Sequence, residues 1–277
     1  MCRWLGYVGE PIRPEELLYQ PDRSLIEQSK RHAPDAAISN GDGFGLGWYG
    51  MADGPGLFRS ESPAWGDRNL REISAQVCSP LFLAHVRAAT GSAAVQQTNC
   101  HPFRYGPWMF VHNGFIEAFD LLHRELLMAV DPALFNVIEG TTDSELMFHL
   151  ALTFGLAEDP LGGLERMAGF VEAAGRRIGA EYPLQMTVGV TDGIRLYAVR
   201  YASGPEVNTL FLTESARDVR LLYPEDERLQ HFSDELRVVV SEPLVDLPGL
   251  WREVPPGTAL IVQPGDARAA SFTPREP

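Results

Sequence analysis

The sequence predicts a layered α+β fold, in which helices pack against sheets instead of alternating with parallel strands. Strand-like apolar segments come first, two helix-like segments follow near the middle, and strand-like segments return after Leu184. An Asp192-Gly193 pair lies between two apolar runs, which is typical of a tight hairpin. Without an internal repeat or a long linker, the sequence predicts one domain over residues 1–264 and a flexible tail over residues 265–277.

The alternation of apolar residues predicts strands over residues 2–8, 45–49, 81–87, 108–112, 184–191, 194–201, 209–213, 237–240 and 259–262. The segment around Gly45 and Gly47 has glycine at alternate positions, so one face of this strand has no side chains. Such a face indicates the close approach of backbone or ligand, although a simple hairpin with tight packing explains it equally well.

Helical spacing of apolar residues predicts helices over residues 69–77, 121–130, 142–156 and 161–178, whereas the polar residues 21–40 predict a surface loop. The third helix begins at Thr142 or Asp143, either of which can cap it. The apolar stripes of the last two helices indicate core positions, namely Leu146, Leu150, Phe154, Leu164, Met167, Val171 and Ile178.

Composition excludes several classes of function. The 277 residues carry a net charge of −14, which argues against a nucleic-acid partner because such partners bind basic surfaces. No apolar run is long enough for a membrane span and no secretory signal is evident, so we expect a cytoplasmic protein without a membrane partner. Three scattered cysteines do not form a disulfide framework, and the histidines lack metal-site spacing, so we expect neither metal nor cofactor.

Cys2 follows the initiator methionine directly. A small second residue normally allows the methionine to be removed, which would make Cys2 the mature N-terminus. One residue would then carry a thiol nucleophile and an α-amine base, and the amine's pKa of about 7.7–8.0 suits a general base near neutral pH. A small residue placed there only for processing is the alternative, and Cys2 alone favours that alternative.

Polar residues at strand ends supply further candidates. Arg87, followed by Thr90, can hold a carboxylate in a bidentate fork, or it can form a surface salt bridge. His101 lies in a polar bend that can border a site, although a structural role suits an isolated histidine better. Asn113 and Gly114 can form an oxyanion hole from a carboxamide and a backbone N–H, or they can form an ordinary turn.

Asp143 at a helix start can bind a substrate ammonium group, or it can be an N-cap. Together, the candidates supply a nucleophile, a base, an oxyanion hole, a carboxylate clamp and an ammonium clamp. That set suits an enzyme that acts on the side-chain amide of an amino acid.

The order of these motifs resembles the class II glutamine amidotransferases of the N-terminal-nucleophile hydrolase superfamily. The segments that carry the resemblance are residues 1–6, 40–49, 85–91, 99–103, 112–114 and 142–145. The resemblance covers about the first half of the chain and implies a four-layer αββα sandwich. It implies that Cys2 is the nucleophile and that Asn113 and Gly114 form the oxyanion hole. It also implies that Arg87 and Thr90 bind the α-carboxylate, that Asp143 binds the α-ammonium and that His101 lines the site.

The resemblance implies hydrolysis of glutamine or a γ-glutamyl amide through a thioester, and it leaves three readings open. The chain can be a free-standing hydrolase similar to the γ-glutamyl amidohydrolase of the ergothioneine pathway. It can instead be a glutaminase subunit that feeds ammonia to a separate synthase, or a catalytically silent regulatory module on the same fold. We expect the residues that choose the amine to lie in loops 21–36 and 55–67.

Overall fold

The computed structural model describes residues 2–30, 39–89, 94–225, 230 and 232–277. Its helices are α1 (Glu15–Leu18), α2 (Leu25–Lys30), α3 (Arg68–Gln76), α4 (Phe119–Met128), α5 (Pro132–Phe135), α6 (Asp143–Thr153), α7 (Pro160–Arg177) and α8 (Ala216–Leu222). Its strands are β1 (Arg3–Ile12), β2 (Phe44–Trp48), β3 (Gly56–Ser60), β4 (Ser79–Val86), β5 (Phe103–Tyr105), β6 (Trp108–Ile116), β7 (Leu184–Thr191), β8 (Leu196–Ala202), β9 (Phe211–Thr213), β10 (Arg237–Val240), β11 (Trp251–Glu253), β12 (Thr258–Gln263) and β13 (Asp266–Ser271). Among the described residues, no helix is long and apolar enough to cross a membrane.

The strands form two antiparallel sheets. The first, which we call the nucleophile sheet because the expected nucleophile, Cys2, precedes its strand β1, has the order β11-β9-β10-β1-β4-β2-β3. The second, which we call the partner sheet, has the order β13-β12-β8-β7-β6-β5. Strands β1 and β4 lie inside the first sheet and β6 and β7 inside the second, so Cys2, Arg87 and Asn113 lie on or next to interior strands.

Three apolar clusters separate four layers. Alternate residues of each strand face opposite sides of a sheet, so Trp4, Leu83 and Met109 pack between the two sheets. The outer face of the nucleophile sheet packs against α1, α2 and α3, and the outer face of the partner sheet packs against α4, α6 and α7. The four-layer αββα arrangement implied by the resemblance is thereby confirmed.

The glycine-rich face of β2 is a site of close approach. A Cβ atom added at Gly45 would overlap the backbone carbonyl of His101, and one at Gly47 would overlap the sulfur of Met109. The same strand forms a hairpin with β3. Both interpretations of this face are therefore correct, and the missing side chains allow the chain around His101 to lie directly against the nucleophile sheet.

Three expectations from the sequence are wrong, and the first concerns the loop over residues 21–40. Residues 21–40 do not form only a loop, because Leu25 and Ile26 are buried in helix α2, whose Glu27 N–H donates to the Ser24 hydroxyl. A pair of adjacent apolar residues in a polar segment was too short a pattern to reveal this helix.

The residues after Gly265 do not form a loose tail. Strand β13 pairs along its whole length with β12, and Phe272 is buried in the cluster on the outer face of the partner sheet. Backbone pairing at a sheet edge places few demands on side chains, so the sequence Asp266-Ala267-Arg268-Ala269-Ala270-Ser271 gave little sign of a strand. Ile178 also differs from its expected core position, since it follows α7 and is 42% exposed.

The close contact at Gly45 predicts a steric effect on stability. We expect Gly45→Ala to lower the free energy of unfolding by about 1–3 kcal/mol, because the added methyl group cannot fit against the His101 carbonyl. Gly50→Ala is the matched control, since a Cβ atom there meets nothing within 4 Å. Urea unfolding of both variants tests this, and equal stability of Gly45→Ala and the parent would contradict the packing described.

Candidate active site

The pairing of β1 with β4 brings Cys2 beside the residues that follow Val86. Arg3 lies opposite Val86 in this antiparallel pair, so Cys2 and Arg87 stand next to each other just beyond the two strand ends. Cys2 has the same strand parity as Trp4, and Asn113 has the same parity as Met109 and so faces the same space between the sheets. The fold therefore directs both side chains toward one region.

The thiol of Cys2 lies against the backbone of Ala88. Its Sγ atom is 3.5 Å from the Ala88 amide nitrogen and 3.4 Å from the Ala88 carbonyl oxygen. Burial raises the pKa of the Cys2 thiol, whereas the Ala88 N–H and the charge of Arg87 lower it and the carboxylate of Asp143 raises it. Arg87, which follows β4, and Asp143, which begins α6, thus both act electrostatically on the thiol.

Arg87 is buried and held by the segment that precedes β2. Its amide donates to Gly43 O at 2.8 Å, and its guanidinium donates to Asp42 O at 3.3 Å. The Asp42 carboxylate in turn accepts the Ala89 N–H at 2.8 Å. Arg87 forms no ion pair with any described residue and is only 3% exposed, so the surface salt-bridge interpretation is wrong. Thr90, the expected partner of Arg87, lies outside the described residues.

Asn113 and Gly114 belong to β6 and do not form a turn. The Asn113 carbonyl accepts from the Thr187 hydroxyl at 3.4 Å and from the Asn208 amide at 3.3 Å. The indole of Trp4 donates to the same Thr187 hydroxyl at 3.1 Å, which links β1 to the Asn113 backbone across the sheets. A Cβ atom at position 114 would overlap the Gln185 carbonyl, so only glycine fits there.

Asp143 is the first residue of α6, and Thr142 is its N-cap. One carboxylate oxygen of Asp143 accepts the Ile116 N–H at 3.1 Å, and the other accepts the Ser144 N–H at 2.7 Å. The carboxylate therefore joins the end of β6 to the start of α6. The sequence left open whether Asp143 or Thr142 caps the helix, and the structure assigns this function to Thr142.

His101 is buried beside the site. Its ring stacks on that of His85 with centroids 4.1 Å apart and lies 4.5 Å from Phe103. Neither ring nitrogen of His101 has a hydrogen-bond partner among the described residues. The stacking places His101 in a histidine cluster between the two sheets.

Sequence reasoning missed three polar groups that support the site. His85 Nε2 lies 3.1 Å from His112 O, and His112 Nδ1 lies 2.8 Å from the Ser144 hydroxyl, which also donates to the Asp143 carboxylate. Burial lowers the pKa of His85 to about 3 and also lowers the pKa values of His101 and His112. Polar residues on buried strand faces were the available signal for His85 and His112, but the sequence does not reveal their cross-sheet partners.

A cavity of about 640 Å³ lies elsewhere, on the outer face of the nucleophile sheet between α1, α8 and the segment 244–251. Val238 and Leu17 line it, and both belong to the apolar cluster on the side of the sheet opposite Trp4. Among the described residues, no group of histidine, cysteine and acidic side chains is arranged to hold a metal ion.

Comparisons with known proteins identify relatives of this chain. The sequence model of the class-II glutamine amidotransferases matches residues 28–276, a range that begins after Cys2. The probable glutamine amidotransferase DUG3 of Saccharomyces cerevisiae is 32% identical over 95% of this chain and 82% of that protein. The γ-glutamyl-hercynylcysteine sulfoxide hydrolase of Mycolicibacterium smegmatis is 27% identical over 92% of each chain.

A solved structure has the same fold over nearly the whole chain. The glutamine aminotransferase class-II domain protein from Silicibacter pomeroyi superposes with a TM-score of 0.73 and 30% identity, over 99% of this chain and 100% of that one. The four-layer fold is therefore one that this chain shares with a class-II glutamine amidotransferase domain. The chain belongs to the class II glutamine amidotransferase family.

The buried histidines predict a loss of stability in acid. The pKa of His85 is about 3 in the fold and about 6.5 in an unfolded chain. Below the unfolded value the unfolded chain binds more protons, so stability falls with pH until the folded value is reached. For His85 alone, we expect the free energy of unfolding to fall by about 1 kcal/mol between about pH 7 and pH 5.5.

Urea unfolding at the two pH values measures this loss, and His85→Leu should show a smaller loss than the parent. The same pH dependence in both proteins would show that His85 is not held neutral by burial.

Proposed function

We propose that this chain hydrolyses the γ-amide bond of glutamine or of a γ-glutamyl amide through a thioester on Cys2. The observation that carries the proposal is the position of the Cys2 thiol, held against the Ala88 backbone at the head of a central strand. Arg87 and Asp143 both influence this thiol, and Asn113 faces the same space between the sheets. The names of the two curated relatives, an amidotransferase and a γ-glutamyl hydrolase, support the same bond class.

The mechanism begins with removal of Met1, which frees the α-amine of Cys2. This amine takes the thiol proton as the sulfur adds to the γ-carbonyl carbon, and the carbonyl oxygen becomes an oxyanion. The ammonium then gives its proton to the leaving nitrogen as the C–N bond breaks, leaving a γ-glutamyl thioester. Water loses a proton to the same amine and attacks the thioester, which releases glutamate and restores the thiol.

The electrostatics of Cys2 support an internal base. Burial raises the pKa of the thiol, so at neutral pH the sulfur keeps its proton until a base accepts it. The Ala88 N–H and the Arg87 charge act in the opposite direction and favour the thiolate once it forms. An amine on the same residue meets the need for a base at hydrogen-bond reach.

The substrate's amino-acid end is assigned to Arg87, Thr90 and Asp143. Arg87 is buried without an ion-pair partner among the described residues, and a guanidinium in that state suits a carboxylate ligand. Asp143 remains available to an ammonium group, since among the described residues its carboxylate accepts from backbone N–H groups and the Ser144 hydroxyl and forms no ion pair. Asn113 and Gly114 would stabilise the oxyanion. For His101, the stacking on His85 favours an indirect function over substrate contact.

A free-standing hydrolase is the reading we favour, because the M. smegmatis hydrolase and this chain match over 92% of each. The second candidate is a subunit that delivers ammonia to a separate synthase, and the amidotransferase name of the yeast relative supports it. We also propose a cytoplasmic location, which rests on the sequence alone. Segment 55–67, which we expected to help select the amine, contains strand β3. Fewer of its residues are therefore free to contact a substrate.

The hydrolysis assay tests this proposal. We expect the purified chain alone to release glutamate from L-glutamine or from γ-glutamyl-p-nitroanilide, and Cys2→Ala to lower the rate by at least about 10³-fold because the nucleophile is lost. Cys78→Ala is the matched control, because Cys78 is exposed and lies outside the site. Full activity in Cys2→Ala would refute the mechanism, whereas activity that appears only with an added synthase would favour the second candidate.

A further inference from the structure

One hydrogen bond crosses from the nucleophile sheet to the peptide group that leads into Asn113. His85 is on β4, and its Nε2 lies 3.1 Å from the carbonyl oxygen of His112 on β6. A carbonyl oxygen can only accept, so this nitrogen carries the proton and donates. The His112 carbonyl and the Asn113 N–H belong to one planar peptide group, so the bond restrains the backbone at Asn113 directly.

Stability does not explain an imidazole at this position. His85 Nδ1 has no hydrogen-bond partner, and both nitrogens of the stacked His101 ring also lack one among the described residues. A buried polar atom without a partner is unfavourable, and an aliphatic side chain at position 85 would avoid that cost. Features that conflict with good packing tend to occur where function requires them.

The same strand also leads directly to the groups that border the thiol. Arg87 follows His85 by two residues, and the next residue, Ala88, touches Cys2. His85 thereby connects a single central strand of the nucleophile sheet to the Asn113 backbone in the partner sheet. From the other side, the Asn113 carbonyl is held by Thr187 and Asn208. Both ends of the Asn113 backbone are therefore restrained relative to the thiol.

We propose that His85 is a positioning residue, which holds Asn113 at the distance from Cys2 that oxyanion stabilisation requires. This inference rests on the proposed function, because it assigns the oxyanion to Asn113. His85 itself touches no reacting atom. It acts through the His112–Asn113 peptide group, and its absence should affect the transition state more than substrate binding.

A double-mutant cycle tests the inference with glutamate release from γ-glutamyl-p-nitroanilide as the readout. We expect Asn113→Ala to lower kcat by about 10²–10³-fold. We expect His85→Leu to lower kcat by about 10–10²-fold with little change in KM, because small displacements of a catalytic group are costly. In the double variant, kcat should be no lower than in Asn113→Ala alone, since His85 has nothing left to position.

Two further variants separate positioning from general damage to the fold. His85→Gln retains an N–H donor and should recover most of the lost kcat. His149→Leu is the matched control, because His149 is also buried and one of its ring nitrogens lies 2.9 Å from the Glu145 carbonyl within α6, while the other has no hydrogen-bond partner in the described part of the chain. We expect its kcat to match that of the parent.

Multiplicative losses in the double variant, or equal losses in His85→Leu and His149→Leu, would overturn the assignment of His85 while leaving the oxyanion function of Asn113 intact. Near-normal kcat in Asn113→Ala would instead refute the oxyanion assignment, and with it the path by which His85 acts. If His85→Leu does not fold, His85→Met replaces it in the cycle, because Met also removes the N–H donor and has a similar volume, and its double variant with Asn113→Ala should again be no slower than Asn113→Ala alone.

Discussion

The anchoring of the first strand is the constraint on which the rest of the site depends. A chain terminus normally frays, and a nucleophile at residue 2 needs fixed surroundings. Strand β1 is paired on one side with β10 and on the other with β4, which immobilises its backbone from Arg3 onward. The Arg3 guanidinium donates to the Asn40 side chain at 3.1 Å, and the Trp4 N–H donates to the Ser241 hydroxyl at 3.0 Å. Cys2 therefore lies directly before a strand whose backbone is held on both sides.

The second constraint is the relative position of the two sheets. Apolar side chains fill most of the space between them, and dispersion contacts alone do not select one alignment of polar groups. Among the buried polar links that cross this space, one runs from Trp4 through Thr187 to the Asn113 carbonyl and another runs from His85 to the His112 carbonyl. Both reach β6 beside Asn113. In the proposed mechanism, the geometry of attack on a carbonyl thus depends on a few hydrogen bonds within a largely apolar layer.

The sequence predicted most of the central strands and the main helices, because their apolar residues follow clear periods. It also supplied candidate polar residues, since motifs at the ends of central strands carry the resemblance to the family, and the functions of these residues stay predictions. It did not predict α2 or β13, whose patterns are short or weakly apolar. Nor could it predict the supporting contacts of Asp42, Ser144 and His85, because cross-sheet partners depend on how distant segments align. The part assigned to Thr90 stays a prediction, as that residue lies outside the described ones.

The central claim is that Cys2 is an N-terminal nucleophile in a pocket shaped for a glutamyl group. Intact-mass measurement before and after treatment with 6-diazo-5-oxo-L-norleucine, a glutamine-like electrophile, tests it most directly. The account predicts a mass that lacks Met1, one covalent adduct, and no adduct in Cys2→Ala. A chain that keeps Met1 and gains no adduct would contradict the claim for that form of the protein. An adduct that persists in Cys2→Ala would place the reactive group elsewhere.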